Sequence, residues 1–195
     1  MQTLFISYYS DLPRESFYKD SAFVLEKRIK ELGGSLFLEE LPNLGSYAKN
    51  CLRKPQFILD CLLKFDCNII WIDCDSVVNQ LPTEFDHVTE DIACVEKANG
   101  CPESALIYFS NNEKSRNFLK TWIKQCAASE LELDHPVLKD MWNNKQHIET
   151  RRSFDDSICS VRTDSKITII LSKTQGKSEH TRKVMERRKK EGRIV

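Results

Sequence analysis

One stretch constrains this chain more than any other: Asn68-Ile69-Ile70-Trp71-Ile72-Asp73-Cys74-Asp75-Ser76-Val77-Val78. A short apolar run that meets turn-forming residues reads as a buried strand. This one enters directly into two carboxylates separated by a single residue. Successive side chains on a strand point to opposite faces, so Asp73 and Asp75 share a face and Cys74 points away. A buried strand that delivers a carboxylate pair at its C-terminal end offers hard oxygen ligands to Mg2+ or Mn2+. Open α/β sheets bind their ligands at that same end. The plainer reading is a polar turn that carries two Asp.

The flanking chain sets this strand in an α/β context. Thr3–Tyr9 reads as a first buried strand closed by the turn Ser10-Asp11-Leu12-Pro13. Phe23, Val24, Ile29 and Leu32 recur at helical spacing, with Asp20 or Ser21 as the expected cap and Gly33-Gly34 as the stop. Ser35–Leu38 predicts a second strand. Pro55 sits where a first helical residue belongs, with Phe57, Ile58, Cys61 and Leu62 as an apolar face behind it. After the central stretch, Ile92–Val95 and Leu106–Phe109 predict two more strands. Asn112 is placed to cap a helix carrying Phe118, Leu119, Trp122, Ile123 and Cys126. Asp134-His135-Pro136 opens a shorter helix, and Ile167–Leu171 predicts a last strand. Strands alternating with helices predict an α/β sandwich with a mostly parallel sheet.

Composition narrows the classes. The 195 residues fit one domain. Lys and Arg number 29 against 29 Asp and Glu, so no global field points to nucleic acid or an acidic partner. No apolar run approaches the ~20 residues of a membrane span, and the N-terminus lacks the pattern of a signal peptide. Eight cysteines occur without a Cys-x-x-Cys pair, which argues against a zinc site or a disulfide framework. A reducing, cytoplasmic setting is the expectation. From Lys177 onward the chain is rich in Lys and Arg. This basic tail is either a solvated end or a handle for a polyanion such as nucleic acid or an anionic membrane surface.

The ordered set of motifs resembles the GT-A glycosyltransferases, which use nucleotide-sugar donors, and among them the small sugar-transferase domains of bacteria and viruses. The residues that carry the resemblance are Lys54-Pro55-Gln56-Phe57-Ile58, then Trp71-Ile72-Asp73-Cys74-Asp75, then Glu103-Ser104-Ala105-Leu106-Ile107-Tyr108-Phe109-Ser110-Asn111-Asn112, followed by a helix with Trp122-Ile123. The resemblance implies a single-domain GT-A (Rossmann-like) sandwich over residues 1–172, with 173–195 as the tail. It implies a metal-dependent transfer of sugar from a nucleotide-diphosphate donor, a UDP-sugar first among them, to a glycan, protein or nucleic-acid acceptor. Asp75 would bind Mn2+ or Mg2+ directly, and Asp73 would touch the ribose or a metal-bound water. Ser7, Tyr8 and Tyr9 would hold the base. Lys54, extended before Pro55, would reach the phosphates. Ser104 and Ala105 would let the sugar approach the backbone. Asp134 and His135 stand where the family often places an Asp-Gln pair beside the donor sugar, which makes them the catalytic candidates. The family's third metal ligand, often a His just after the last strand, has no match at Ser172. His180, a water or a weakly held metal are the alternatives.

Two other classes fit parts of the chain. HAD-type phosphatases also carry Asp-x-Asp-x-Val at a strand end, with Asp73 then the nucleophile and Asp75 the acid/base. In that reading Ser110 and the pair Asp155-Asp156 supply the later motifs. The stretch Glu149–Phe154 before that pair lacks the expected apolar strand, and a full β-α-β unit precedes Asp73. The third class is a non-catalytic module that binds sugar nucleotides.

Overall fold

The computed structural model describes residues 3–11, 16–128, 133–144, 150–160 and 169–170. The apolar runs become strands where expected, in β1 (Thr3–Tyr9), β2 (Leu36–Glu40), β3 (Asn68–Ile72), β5 (Ile92–Glu96) and β6 (Pro102–Phe109), the last beginning four residues ahead of the expected Leu106. Between them lie the short strand β4 (Val77–Val78) and the helices α1 (Phe17–Glu31), α2 (Tyr47–Cys51) and α3 (Lys54–Lys64). After β6 come α4 (Glu113–Ala128), α5 (Asp134–Asn143), and the strands β7 (Arg151–Phe154), β8 (Cys159–Ser160) and β9 (Ile169–Ile170).

Six strands form the main sheet in the order β2-β1-β3-β6-β5-β7. The pairs β1–β2, β1–β3 and β5–β7 are parallel, while β6 is antiparallel to both its neighbours. Five strands therefore run one way and β6 alone runs back, so the expected mostly parallel sheet is present. This topology gathers the carboxyl ends of β1, β3 and β5 and the amino end of β6 along one edge of the sheet. Tyr8-Tyr9, Asp73 and Ser104 meet there although they are far apart in sequence.

Alternation along the strands fills both faces of the sheet. Ile6, Ile69, Trp71, Cys94, Ile107 and Phe109 pack against Phe57, Ile58 and Leu62 of α3, Phe118 and Trp122 of α4, and Leu138 and Trp142 of α5. Phe5, Ile70, Ile72, Ala93 and Leu106 face the other way, onto Leu25 and Ile29 of α1 and onto Val78, Phe85 and Ile169. Each fully buried Leu or Ile here contributes roughly 1.5–3 kcal/mol.

Three local expectations change. Helix α1 begins at Phe17, ahead of the expected cap at Asp20 or Ser21, because the Asp11 carboxylate accepts the amide hydrogens of Tyr18 and Lys19 at 2.9 and 2.8 Å. Its end is as expected, with Gly33 at φ +83°. Lys54 is the first residue of α3 rather than an extended residue before Pro55. Residues 151–154 form a strand despite their polar sequence. Of the expected last strand, 169–170 is described and pairs with β4 and β8 in a separate three-stranded sheet. The basic tail and His180 lie outside the described residues.

Candidate active site

The strand carrying the carboxylates stops at Ile72. The amide of Asp73 continues the ladder by one bond, donating to the Ala105 carbonyl at 2.9 Å, and the amide of Ser76 then turns back onto the Asp73 carbonyl at 3.0 Å. Asp73 and Asp75 thus sit in a tight turn capping β3, and the shared strand face expected from alternation does not apply. Both still line one pocket, about 900 Å3 in volume including its open mouth.

Lys54 organises that pocket. Its Nζ lies 3.1 Å from Asp73 Oδ1, 3.1 Å from Asp134 Oδ2 and 3.1 Å from the Ser104 carbonyl oxygen. The ammonium donates a hydrogen bond to the Ser104 carbonyl and ion-pairs with both carboxylates, with Asp134 Oδ2 at ion-pair distance and without a hydrogen bond. Lys54 is buried, and burial alone lowers its pKa. Asp134 and Asp73 outweigh that effect and hold the pKa above its ordinary value, so the charge stays in place. The expected role of reaching outward to phosphate gives way to one of fixing two carboxylates. Asp73 Oδ1 also accepts from Trp71 Nε1 at 2.9 Å, and the Lys54 ammonium lies 5.2 Å from the Trp71 ring centroid.

The other residues named from sequence fall into distinct places. Asp134 is buried at the start of α5, and its carbonyl accepts from Trp122 Nε1 at 3.2 Å. His135 lines the pocket, with Nδ1 3.2 Å from Ser104 Oγ and Nε2 3.4 Å from Cys101 Sγ. Burial pulls the imidazole pKa below its ordinary value. Tyr8 and Tyr9 both line the pocket but are tied into the protein. The Tyr8 ring packs on Phe57 and Trp71, and its hydroxyl donates to the Asn50 carbonyl. The Tyr9 hydroxyl donates to Glu40 at 2.9 Å. Ser7 is fully buried outside the pocket lining, its hydroxyl joining β1 to the Ile72 carbonyl at 2.7 Å. Ala105 is likewise buried behind the lining.

Sequence reasoning missed Tyr18, Tyr47, Asn50 and Cys51, which complete the pocket wall. Tyr47 and Cys51 are one turn apart on α2, a helix of five residues with too little periodicity to be seen. Burial pushes the Cys51 thiol up to about 12, so it is not a thiolate nucleophile at neutral pH.

The pocket sets three carboxylates, Asp73, Asp75 and Asp134, against one ammonium. Among the described residues no three His, Cys, Asp or Glu side chains converge on a metal position. The surplus negative charge with hard oxygen donors fits Mg2+ or Mn2+ held by one or two carboxylates, with phosphate and water completing the shell.

The phosphatase arrangement fails on geometry. Ile69 pairs with Phe109 across the antiparallel β3–β6 ladder, so Ser110 lies at the opposite end of the sheet from Asp73, roughly 17 Å along the strand. Ser110 Oγ instead donates to the Glu90 carbonyl at 2.7 Å. Asp155-Asp156 does follow a strand, β7, but three strand positions from β3, about 14 Å across the sheet.

No sequence family and no curated protein matches the chain. Solved structures do match in fold. A glycosyltransferase involved in the glycosylation of the major capsid of PBCV-1 aligns with a TM-score of 0.69 at 14% identity, covering 96% of this chain and 100% of that one. The glycosyltransferase GlyE of Streptococcus pneumoniae TIGR4 aligns with a TM-score of 0.50 at 13% identity over 89% of this chain. Its apo form gives 0.57 at 10% identity over 90%. This chain spans 55% of each GlyE chain. The fold is that of these glycosyltransferases.

Proposed function

We propose that this chain is a metal-dependent glycosyltransferase that takes a sugar from a nucleotide-diphosphate donor, a UDP-sugar first among the candidates. The observation that carries the reading is the buried Lys54 ammonium clamped between Asp73 and Asp134 beside Asp75, in an open pocket at the carboxyl edge of the sheet. Asp75, with Asp73 beside it, would hold Mg2+ or Mn2+, which would neutralise the charge developing on the leaving nucleoside diphosphate.

The chain's own residues account for the rest. Lys54 fixes the Asp73 carboxylate at the metal side and the Asp134 carboxylate at the sugar side, so the two cannot drift apart. Tyr8, Tyr9, Tyr18 and Tyr47 give the pocket an aromatic wall for a nucleoside. Asp134 and His135 stand beside Ser104, where the sugar would lie. The acceptor is a glycan, a protein or a nucleic acid, the last favoured if the basic tail binds polyanions. All eight cysteines are free thiols, which supports a cytoplasmic setting. No helix among the described residues is long and apolar enough to cross a membrane.

A non-catalytic sugar-nucleotide-binding module is the second reading, favoured by the lack of a third metal ligand among the described residues. One assay separates them. A panel of UDP-sugars with Mn2+ should release UDP, while a generic phosphatase substrate stays intact. Tight metal-dependent UDP binding without turnover on any donor and acceptor would favour the binding module.

A further inference from the structure

Three side chains form a line behind the sugar end of the pocket. Ser104 and His135 line the pocket, and Cys101 stands behind them, buried and outside the lining. Ser104 Oγ is 3.2 Å from His135 Nδ1, and His135 Nε2 is 3.4 Å from Cys101 Sγ. The Cys101 thiol in turn donates to the Pro102 carbonyl at 3.8 Å.

The donors and acceptors can be assigned along this line. A thiol that donates to a carbonyl presents its sulfur lone pairs to other neighbours. Cys101 Sγ is then the acceptor for His135 Nε2–H. A neutral imidazole carries one N–H and one lone pair, so Nδ1 is the acceptor and Ser104 Oγ–H is its donor. Burial of His135, which disfavours the imidazolium, is consistent with the neutral ring. Both ring nitrogens are engaged by protein groups, leaving neither for proton transfer to a substrate.

With its proton directed at His135, Ser104 Oγ offers the pocket lone pairs only. We propose that Ser104 is a specificity-determining acceptor for one hydroxyl of the donor sugar, with His135 and Cys101 as the positioning residues that orient it. This rests on the glycosyltransferase reading above. It moves His135 from the chemistry to the scaffold and gives Cys101 a role that its sequence context did not suggest. A hydroxyl bound this way donates to Ser104, Ser104 donates to His135, and His135 donates to Cys101, so every polar group in the line is paired.

The test compares binding of UDP alone with that of intact UDP-glucose, UDP-galactose and UDP-N-acetylglucosamine by calorimetry with Mn2+, together with deoxy analogues of the donor that binds best. In the wild type the intact donor should bind more tightly than the analogue lacking the recognised hydroxyl. Ser104→Ala should weaken the intact donor by about three- to tenfold, leave UDP affinity unchanged and erase the discrimination. Cys101→Ala should lose part of the same increment and Cys101→Ser should restore most of it, an outcome that a packing role for sulfur does not produce. Equal discrimination by Ser104→Ala and wild type overturns the assignment while leaving glycosyl transfer standing. No metal-dependent binding of UDP or of any donor overturns the underlying reading and the assignment with it.

Discussion

Lys54 Nζ stands 3.1 Å from Asp134 Oδ2, joining the first residue of α3 to the first residue of α5 in the protein interior. Both side chains are almost fully buried, at 7% and 5% exposure. Removing one partner of such a pair leaves the other charge uncompensated in a poorly hydrated site. Lys54→Met should therefore lower stability by about 3–5 kcal/mol, read as a shift in the urea midpoint. The double variant Lys54→Met/Asp134→Leu should recover much of that loss, since no orphaned Asp134 charge remains. A single variant with the wild-type midpoint would mean that the pair is not formed in solution.

Tyr8 belongs to the core before it belongs to the pocket. Its ring lies 5.1 Å from Phe57 and 5.3 Å from Trp71 between centroids. Tyr8→Ala should cost about 3–5 kcal/mol of stability, as large aromatic deletions do. A merely local loss of nucleotide affinity with unchanged stability would contradict this placement.

Tyr18 and Tyr47 are the two half-buried tyrosines of the pocket wall, and Tyr18 is the candidate stacking partner of a base. Tyr18→Ala should weaken UDP by ~1–3 kcal/mol, the range for base–aromatic stacking, with little change in the urea midpoint. Unchanged UDP affinity would put the base against another part of the wall.

His135 makes a pH prediction with a definite sign. Its folded pKa is lowered from 6.5 by burial. Between the folded and unfolded values the unfolded chain binds more protons, so stability rises with pH in that window. Stability should fall as pH drops below about 6.5, and His135→Gln should remove that part of the slope. Urea midpoints measured from pH 7.5 down to pH 5 would show it. Parallel slopes for the two proteins would mean that His135 titrates alike in both states.

How far the sequence revealed this can be judged residue by residue. The strands β1, β3 and β6 and the apolar faces of α3 and α4 were legible because burial on both sides of a sheet demands long apolar runs. Arg151–Phe154 was not, because an edge strand needs only one partner and tolerates polar side chains. The location of Asp73 and Asp75 at the carboxyl end of β3, lining the pocket, was readable from the strand that precedes them. Their turn geometry was not, since a strand's last residue depends on its neighbour's register. The Lys54 clamp was invisible for a deeper reason. Its partners lie 19 and 80 positions away, and only the topology brings them to one point. Local patterns also gave no cue to Cys101 behind His135, because a buried cysteine reads the same whether or not it holds a ring.

The central claim, that the carboxylates after β3 form a metal-dependent nucleotide-diphosphate site, is tested most directly by calorimetry of UDP binding with and without Mn2+ for wild type and Asp75→Ala. Wild-type protein should bind UDP only with Mn2+ present, and Asp75→Ala should lose that binding while keeping the wild-type urea midpoint. Metal-dependent UDP binding that survives Asp75→Ala undiminished would contradict the account.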